Sequence, residues 1–311
     1  MSTVPLISRT LRGSVSSVGE EALIRSIRRW LGKASPRSPA GIGDDCAVIA
    51  PARGRELLTI DPVVHGIHFD GRVGAREVGA KLLKRNLSDI AAMGGRPRAA
   101  VVSLALDGRV SLRWLAEFYK GLARESRRHG VPIVGGDVAR LAGSFVATLA
   151  LTGEATGRVL TRSASRAGDW IYVTGALGRS LASGHHHLFV PRLAEGAWLA
   201  RRREVRSMMD LSDGLAKDLA ALTPKGAAPA LFGAMLPRRR GATVANALGD
   251  GEDYELLICV ASGADRAAFE GAWRREFRLT PLTCIGRFAR RGEVPPDALN
   301  LGEYRGYEHL R

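Results

Sequence analysis

Two long helical patterns separated by short apolar runs limit what this chain folds into. The first spans Ala75–Ala92 and ends at Met93-Gly-Gly95, where two glycines are typical of a helix C-terminus. The second spans Leu112–His129 and is closed by Gly130. Apolar runs of strand length precede and follow both patterns. This alternation predicts an α/β (α+β) fold and not an all-helical or all-β one.

The other periodic segments predict two domains. An amphipathic helix opens the chain at Gly19–Leu31, because apolar residues recur there at helical spacing. Strands are predicted at 46–50, 56–60, 99–106, 131–134, 144–153, 169–174, 254–260 and 282–288, and further helices at 177–183, 214–222 and 266–276. The predicted domains are residues 1–157 and 158–311. The stretch 223–249 is rich in Pro, Gly and Arg and has no assignable period.

The composition narrows the class of partner. A net charge of +15 would suit nucleic acid, but the surplus is arginine spread along the whole chain without interleaved aromatic residues. We therefore expect no nucleic-acid partner. No apolar run is long enough for a membrane span, and Met1–Gly13 lacks the apolar core of a secretory signal. Three widely spaced cysteines suit a reducing compartment, so a cytoplasmic protein is predicted.

Aspartate and glycine gather where the apolar strands end. The six clusters are Gly41-Ile-Gly-Asp-Asp45, Thr59-Ile-Asp61, Asn86-Leu-Ser-Asp89, Gly135-Gly-Asp137, Asp210-Leu-Ser-Asp213 and Gly251-Glu-Asp-Tyr-Glu255. One such cluster alone is usually a turn or a helix N-cap. Together they predict bound cations, because carboxylates that lie close together repel one another and any phosphate. Oxygen ligands suit Mg²⁺, and the glycines let backbone N–H groups approach phosphate, so phosphoryl transfer is the predicted chemistry.

In this order, the motifs resemble those of the thiamine-monophosphate kinase family. That family shares a superfamily with aminoimidazole ribonucleotide synthetase, selenophosphate synthetase and a hydrogenase maturation factor. The resemblance covers nearly the whole chain. Its most specific segments are Asn86-Leu-Ser-Asp-Ile-Ala-Ala-Met-Gly94, Asp210-Leu-Ser-Asp-Gly-Leu-Ala216 and Gly251-Glu-Asp-Tyr-Glu-Leu-Leu257.

The resemblance implies an aminoimidazole ribonucleotide synthetase-like fold of two domains. The N-terminal domain would be an α/β sandwich that binds ATP and several Mg²⁺ ions and dimerises through its sheet. The C-terminal α/β domain would complete the active-site cleft. The implied reaction is phosphorylation of thiamine monophosphate to thiamine diphosphate by a homodimer.

The resemblance also implies roles for individual residues. The implied metal ligands are Asp45, Thr59, Asp61, Asp89, Asp137, Asp210 and Asp213. The implied ATP contacts are Tyr119, Gly136, Asp137, Arg162 and Ser212, and the implied thiamine contacts are His68, Glu252 and Tyr304. No catalytic nucleophile is expected, because the acceptor phosphate is largely ionised near neutral pH and the transfer is metal-assisted.

Some residues depart from the family pattern. Ile60 stands where the family usually has threonine, so one magnesium position is expected to be weaker. Val138 and Ala139 replace two hydroxyl residues. The tract His185-His-His187 is predicted to be a surface or connector segment, because no acidic or thiol residue flanks it.

Two other functions are compatible with the motifs. One is a different ATP-dependent synthetase of the same superfamily, although the reactive cysteine or selenocysteine of selenophosphate synthetase is not found in an N-terminal glycine-rich loop. The other is a non-catalytic nucleotide-binding descendant, which Ile60 and Val138 would favour.

Overall fold

The computed structural model describes residues 4–43 and 45–308, and the chain divides into two compact units. The first comprises the residues up to Ile90 together with Arg96–Glu154, and the second comprises Ala91–Gly95 and the chain from Ala155 onward. Both units combine helices with a sheet, so the predicted α/β (α+β) class is confirmed. Among the described residues, no helix is both long and apolar enough to cross a membrane.

The first unit is built on a mixed sheet. Its elements are α1 (Glu20–Leu31), β1 (Glu56–Val64), α2 (Ala75–Ala92), β2 (Gly95–Leu106), α3 (Leu112–His129), β3 (Ile133–Arg140) and β4 (Phe145–Ala155), with 3-10 turns at Leu11–Gly13, Val15–Ser17 and Gly32–Ala34. In the described part of the chain the strand order is β1-β4-β2-β3. β1 runs antiparallel to β4, and β2 runs parallel to β3.

The two faces of this sheet differ in burial. On one face the ring of Phe145 contacts Trp114 and Phe118 of α3, with ring centroids 4.9 and 5.5 Å apart. Alternate residues of β1, β2 and β4 point to the opposite face, where apolar side chains are exposed. These are Leu58 (75% exposed), Ile60 (64%) and Val101 (41%). One side of the sheet is therefore covered by helices, and the other presents apolar surface.

The second unit contains an antiparallel sheet with two cores. Its elements are β5 (Trp170–Thr174), α4 (His185–Leu188), α5 (Leu193–Leu199), β6 (Val205–Asp210), α6 (Leu215–Leu222), β7 (Ala227–Leu231), α7 (Val244–Gly249), β8 (Leu256–Val260), α8 (Arg266–Glu276) and β9 (Leu282–Arg290), with 3-10 turns at Gly233–Met235 and Leu301–Glu303. The strand order is β6-β8-β5-β9-β7 among the described residues. Leu257 and Cys259 of β8 enter one core, while Leu256 and Ile258 enter the other. This explains why β8 reads as a continuous apolar run.

Most predicted elements are present, but two predictions were wrong. Residues 46–50 form no strand, and Val48 is 64% exposed. Residues 177–183 form turns and not a helix, because Gly178 and Arg179 adopt positive φ values of 83° and 58°. The unassigned stretch 223–249 contains β7 and α7.

Candidate active site

Three of the predicted metal ligands in the first unit lie where β1 faces α2. The Thr59 hydroxyl donates a hydrogen bond to the Asp89 carboxylate. Asp61, two residues further along β1, accepts from the Arg85 guanidinium at 3.4 Å. Arg85 lies one turn before Asp89 on α2, so strand and helix meet at two neighbouring points. The structure thus brings Thr59, Asp61 and Asp89 together on one side of the sheet.

Ile60 points away from this group. Thr59 and Asp61 pair across the ladder with the buried residues Leu151 and Leu149, whereas Ile60 pairs with Ala150 on the open face. Successive side chains of a strand project to opposite faces. The side chain at position 60 is therefore directed away from Asp89, and the effect of Ile60 on a magnesium position stays a prediction.

A pocket of about 430 Å³ in the first unit collects four other predicted residues. Asp45, Tyr119, Gly136 and Asp137 all line it. Its apolar walls come from Ile24, Ile27, Leu31, Ile42, Val102, Ile133 and Val138. Val138, one of the departures from the family pattern, thus supplies an apolar wall where the family has a hydroxyl. The pocket combines an apolar wall with the three carboxylates of Glu20, Asp45 and Asp137, which suits a ligand with a flat apolar part and a polar, metal-bound tail.

The backbone explains the glycine at position 136. A side chain there would collide with the Val102 carbonyl oxygen on the neighbouring strand. Tyr119 is 3% exposed, and burial raises the pKa of its phenol. It therefore contributes a neutral ring to the pocket.

His68 is held by backbone contacts. Its side chain is 7% exposed, and its Nδ1 accepts a hydrogen bond from the Val64 N–H at 3.1 Å. The Lys81 ammonium donates to the His68 carbonyl at 2.7 Å. The Val64 contact orients the imidazole, the Lys81 contact holds the backbone, and the role of His68 toward a substrate stays a prediction.

Two loops of the second unit that carry predicted site residues run side by side where β6 ends and β8 begins. The Glu252 N–H donates to the Ser212 carbonyl at 2.7 Å, and the Tyr254 N–H donates to the Leu211 carbonyl at 2.8 Å. Asp210, the last residue of β6, is 3% exposed. The motifs at 210–213 and 251–255 are separated by some 40 residues in the sequence but form one surface here.

Asp213 joins this surface to the C-terminal segment. Its carboxylate lies 2.8 Å from the Lys217 ammonium, and its carbonyl accepts from the Tyr307 N–H at 2.9 Å. The hydrogen bond to Asp213 raises the pKa of Lys217. Tyr304, three residues before Tyr307, is half-buried and packs against the core beneath α6 and β8. Tyr304, an implied thiamine contact, therefore lies three residues from the backbone hydrogen bond between Tyr307 and Asp213, an implied metal ligand.

Asp218 is a buried acid beside these residues. It is 5% exposed and accepts the Asp213 N–H at 3.0 Å. Burial raises the pKa of Asp218 to about 7, and repulsion from Asp210 and Asp213 acts in the same direction. Arg162 is exposed. Its positive charge acts to lower the pKa of Asp218, so Arg162 lies near enough to interact electrostatically with this carboxylate.

The donors fit magnesium by type. They are carboxylate and hydroxyl oxygens, which are the ligands that Mg²⁺ prefers. In residues 4–43 and 45–308, however, no three acidic, histidine or cysteine side chains already enclose a metal position. Arg85 and Lys217 instead balance part of the negative charge of Asp61 and Asp213.

Sequence reasoning missed several neighbours of the predicted residues. Arg85, Lys217, Asp218 and His186 touch a predicted site residue but were not identified. Helical spacing was an available signal for two of them. Arg85 is four residues before Asp89 on α2 and so lies on the helix side that meets β1, and Lys217 is four residues after Asp213, the spacing of their ion pair.

Comparisons with known proteins agree with these motifs. Residues 43–159 match the family model of the AIR synthase related protein, N-terminal domain. The thiamine-monophosphate kinase of Synechococcus elongatus is 32% identical over 288 residues, which are 83% of this chain and 86% of that protein. The crystal structure of thiamine-monophosphate kinase from Stenotrophomonas maltophilia is 29% identical, with a TM-score of 0.71 over 88% of this chain and 95% of that one. AaThiL complexed with AMPPCP and TMP is 26% identical, with a TM-score of 0.68 over 97% of this chain and 100% of that one.

Proposed function

This chain belongs to the thiamine-monophosphate kinase family, and we propose that it phosphorylates thiamine monophosphate with ATP. The bond between the γ-phosphorus of ATP and its bridging oxygen breaks. A bond forms from that phosphorus to an acceptor phosphate oxygen, and ADP and thiamine diphosphate leave. The observation that carries the proposal is the pairing of the 210–213 and 251–255 loops, whose motifs are the family's most specific ones. The related AaThiL complex, with AMPPCP and TMP bound together, supports both substrates.

In this proposal each unit contributes different substrate contacts. The first would bind the nucleotide, with Tyr119, Gly136 and Asp137 contributing from the pocket described above. The second would complete the active-site cleft, where Arg162 and Ser212 would contact ATP. His68, Glu252 and Tyr304 would contact the thiamine phosphate. The apolar pocket wall suits a purine ring.

Magnesium is part of the proposal. The residues that would hold it are Asp45, Thr59, Asp61, Asp89, Asp137, Asp210 and Asp213. When bound, Mg²⁺ offsets the charge of the two phosphate groups that must approach each other and holds them in line. The side chains supply the ligand oxygens and orient the phosphates. No residue needs to act as a strong base, because the acceptor phosphate is already largely ionised.

A homodimer formed through the open sheet face of the first unit is also part of the proposal. Leu58, Ile60 and Val101 expose apolar surface there. Apolar side chains grouped on one sheet face favour burial against another surface. A second copy of the chain offers an identical face, as an isologous contact requires.

We further propose that the enzyme works in the cytoplasm. Its cysteines, Cys46, Cys259 and Cys284, are all free thiols, as a reducing compartment requires.

The test is incubation of the purified chain with ATP, Mg²⁺ and thiamine monophosphate, followed by chromatography of the products. Equal amounts of ADP and thiamine diphosphate are expected, and chelation of Mg²⁺ should abolish both. ADP without thiamine diphosphate would indicate a different synthetase of the superfamily. Nucleotide binding with no turnover would indicate a non-catalytic descendant.

A further inference from the structure

The three consecutive histidines at 185–187 lie against the loop that carries Glu252. They form the short helix α4, and His186 is 6% exposed. His186 is therefore not at the surface, while the tract does lie in the connection between β5 and α5, as a connector role predicts. A buried polar side chain is normally fixed by specific partners, and here those partners belong to the 251–255 loop.

Each histidine makes a distinct contact. His185 Nε2 lies 2.9 Å from the Asp253 carbonyl oxygen, so this nitrogen must be the donor. His186 Nδ1 lies 3.5 Å from Glu252 Oε2. His187 Nδ1 lies 3.0 Å from His186 Nε2. The contacts form a chain that runs from His187 through His186 to the Glu252 carboxylate.

The second oxygen of that carboxylate is also held. Glu252 Oε1 accepts from the Tyr254 hydroxyl at 3.2 Å. The Tyr254 ring stacks on Phe189, immediately after α4, with centroids 4.0 Å apart and planes 19° from parallel. α4 and the residue that follows it therefore support Glu252 from both sides, directly through His186 and indirectly through Tyr254.

The backbone of this loop is strained. Glu252 and Tyr254 have φ values of +63° and +50°, in the left-handed region that non-glycine residues rarely adopt. Such conformations persist where the surroundings impose them, and they concentrate at functional sites. The contacts of α4 supply those surroundings, so the direction of the Glu252 side chain depends on them.

We propose that His186 is a positioning residue that aims the Glu252 carboxylate at the thiamine part of the acceptor, with His187 fixing the tautomer of its ring. The Glu252 carboxylate accepts, so His186 presents its Nδ1–H to it, and His186 Nε2 is then the acceptor for His187 Nδ1–H. In this tautomer the His186 N–H points at Glu252 and orients its carboxylate, whose negative charge is directed to the cationic thiamine. The inference rests on the proposed function, in which Glu252 contacts thiamine.

The test compares His186→Leu with His186→Asn, because asparagine keeps an N–H donor near the Nδ1 position and leucine does not. Leu188→Ala is the matched control, since Leu188 lies on the same helix and is 62% exposed. His186→Leu should raise the KM for thiamine monophosphate on the order of tenfold, as expected for loss of a hydrogen bond to a charged group. The KM for ATP should stay within about twofold. His186→Asn should recover most of the loss, and Leu188→Ala should behave as wild type.

An equal rise in both KM values, no change in either, or no recovery in His186→Asn would overturn the inference. If His186→Leu fails to fold, His187→Ala provides the same test, because it removes the partner that fixes the tautomer and leaves His186 in place. A wild-type chain without kinase activity would refute the proposed function instead. Calorimetric titration with thiamine monophosphate would then decide the inference, which requires weaker binding by His186→Leu than by Leu188→Ala.

Discussion

At the scale of single residues, Asp213 connects the proposed chemistry to the fold. Asp213→Asn should lower kcat by a factor on the order of 10²–10³, as for loss of one group that stabilises charge in the transition state. Stability should change little, because the Asp213–Lys217 pair is about a third exposed and such pairs contribute about 0–1 kcal/mol. Steady-state kinetics and thermal unfolding measure the two effects. Asp297→Asn, an exposed residue outside the site, is the control, and an unchanged kcat for Asp213→Asn would contradict its assignment.

Asp218 predicts how stability varies with pH. Its folded-state pKa is about 7 because it is buried, whereas an aspartate in an unfolded chain titrates near 3.9. The folded state therefore favours the protonated Asp218 carboxyl. The stability that this group contributes is fully present below about pH 4 and is lost as the pH rises through 7. In metal-free buffer, Asp218→Asn should match wild type near pH 4 and exceed it at pH 8 by up to a few kcal/mol. Urea denaturation at both pH values measures this, and a constant difference between the two proteins would refute it.

The sequence was sufficient to choose the acidic residues of the site but not their partners. Asp213 and Glu252 stand in motifs of high specificity, and Asp61 stands in one of the strand-end clusters. Their partners Lys217, His186 and Arg85 stand in no such motif. His186 reaches Glu252 across 66 residues of sequence, a tertiary contact that local patterns do not encode.

At the scale of elements, α2 and α3 cross at a pair of glycines. A Cβ added to Gly79 would collide with the Phe118 carbonyl, and one added to Gly121 would collide with the Arg76 carbonyl. Gly79→Ala should therefore lower the free energy of unfolding by about 1–3 kcal/mol through overpacking. Gly271 in α8 is the matched control, because its added Cβ would make only an ordinary contact with Arg275.

Gly271→Ala should leave stability unchanged or raise it by up to about 1 kcal/mol, since alanine is the better helix former. Chemical denaturation of both variants measures the contrast. If Gly79→Ala is as stable as wild type, the close approach of the two helices is not required for the fold.

Element prediction succeeded where local signals are complete. Helices α2, α3 and α8 have the predicted bounds because their glycines, caps and periodicity agree, and Ser111 and Asp265 cap two of them. It failed at 46–50, where an apolar run finds no strand partner among the described residues. It also failed at 177–183, where the Gly178 N–H donates to the distant Asp253 carboxylate. Tertiary contacts override local propensity at such positions.

At the scale of the whole molecule, the open sheet face predicts the assembly state. Light scattering should give twice the 33.3 kDa chain mass. Ile60→Glu should shift the mass toward the monomer, because it would place a charge in the proposed apolar contact. Leu11→Glu is the control, since Leu11 is 77% exposed but lies outside the sheet. A wild-type monomer at micromolar concentration, or a dimer unaffected by Ile60→Glu, would contradict the proposed interface.

The convergence of six carboxylates stays a prediction at this scale. Asp45, Asp61, Asp89 and Asp137 belong to the first unit, and Asp210 and Asp213 belong to the second. The order of the motifs predicts that all six carboxylates serve one pair of substrates. ATP and an acceptor phosphate together bring several negative charges that only metal ions can bridge, and the six carboxylates would hold those ions.

Direct transfer of the terminal phosphoryl group is the central claim, and isotope labelling tests it most directly. The chain is supplied with ATP labelled at the γ-phosphate, Mg²⁺ and unlabelled thiamine monophosphate, and the products are separated. We expect the label in the terminal phosphate of thiamine diphosphate, in amounts equal to the ADP formed. Label released as inorganic phosphate, with no labelled thiamine diphosphate, would contradict the account.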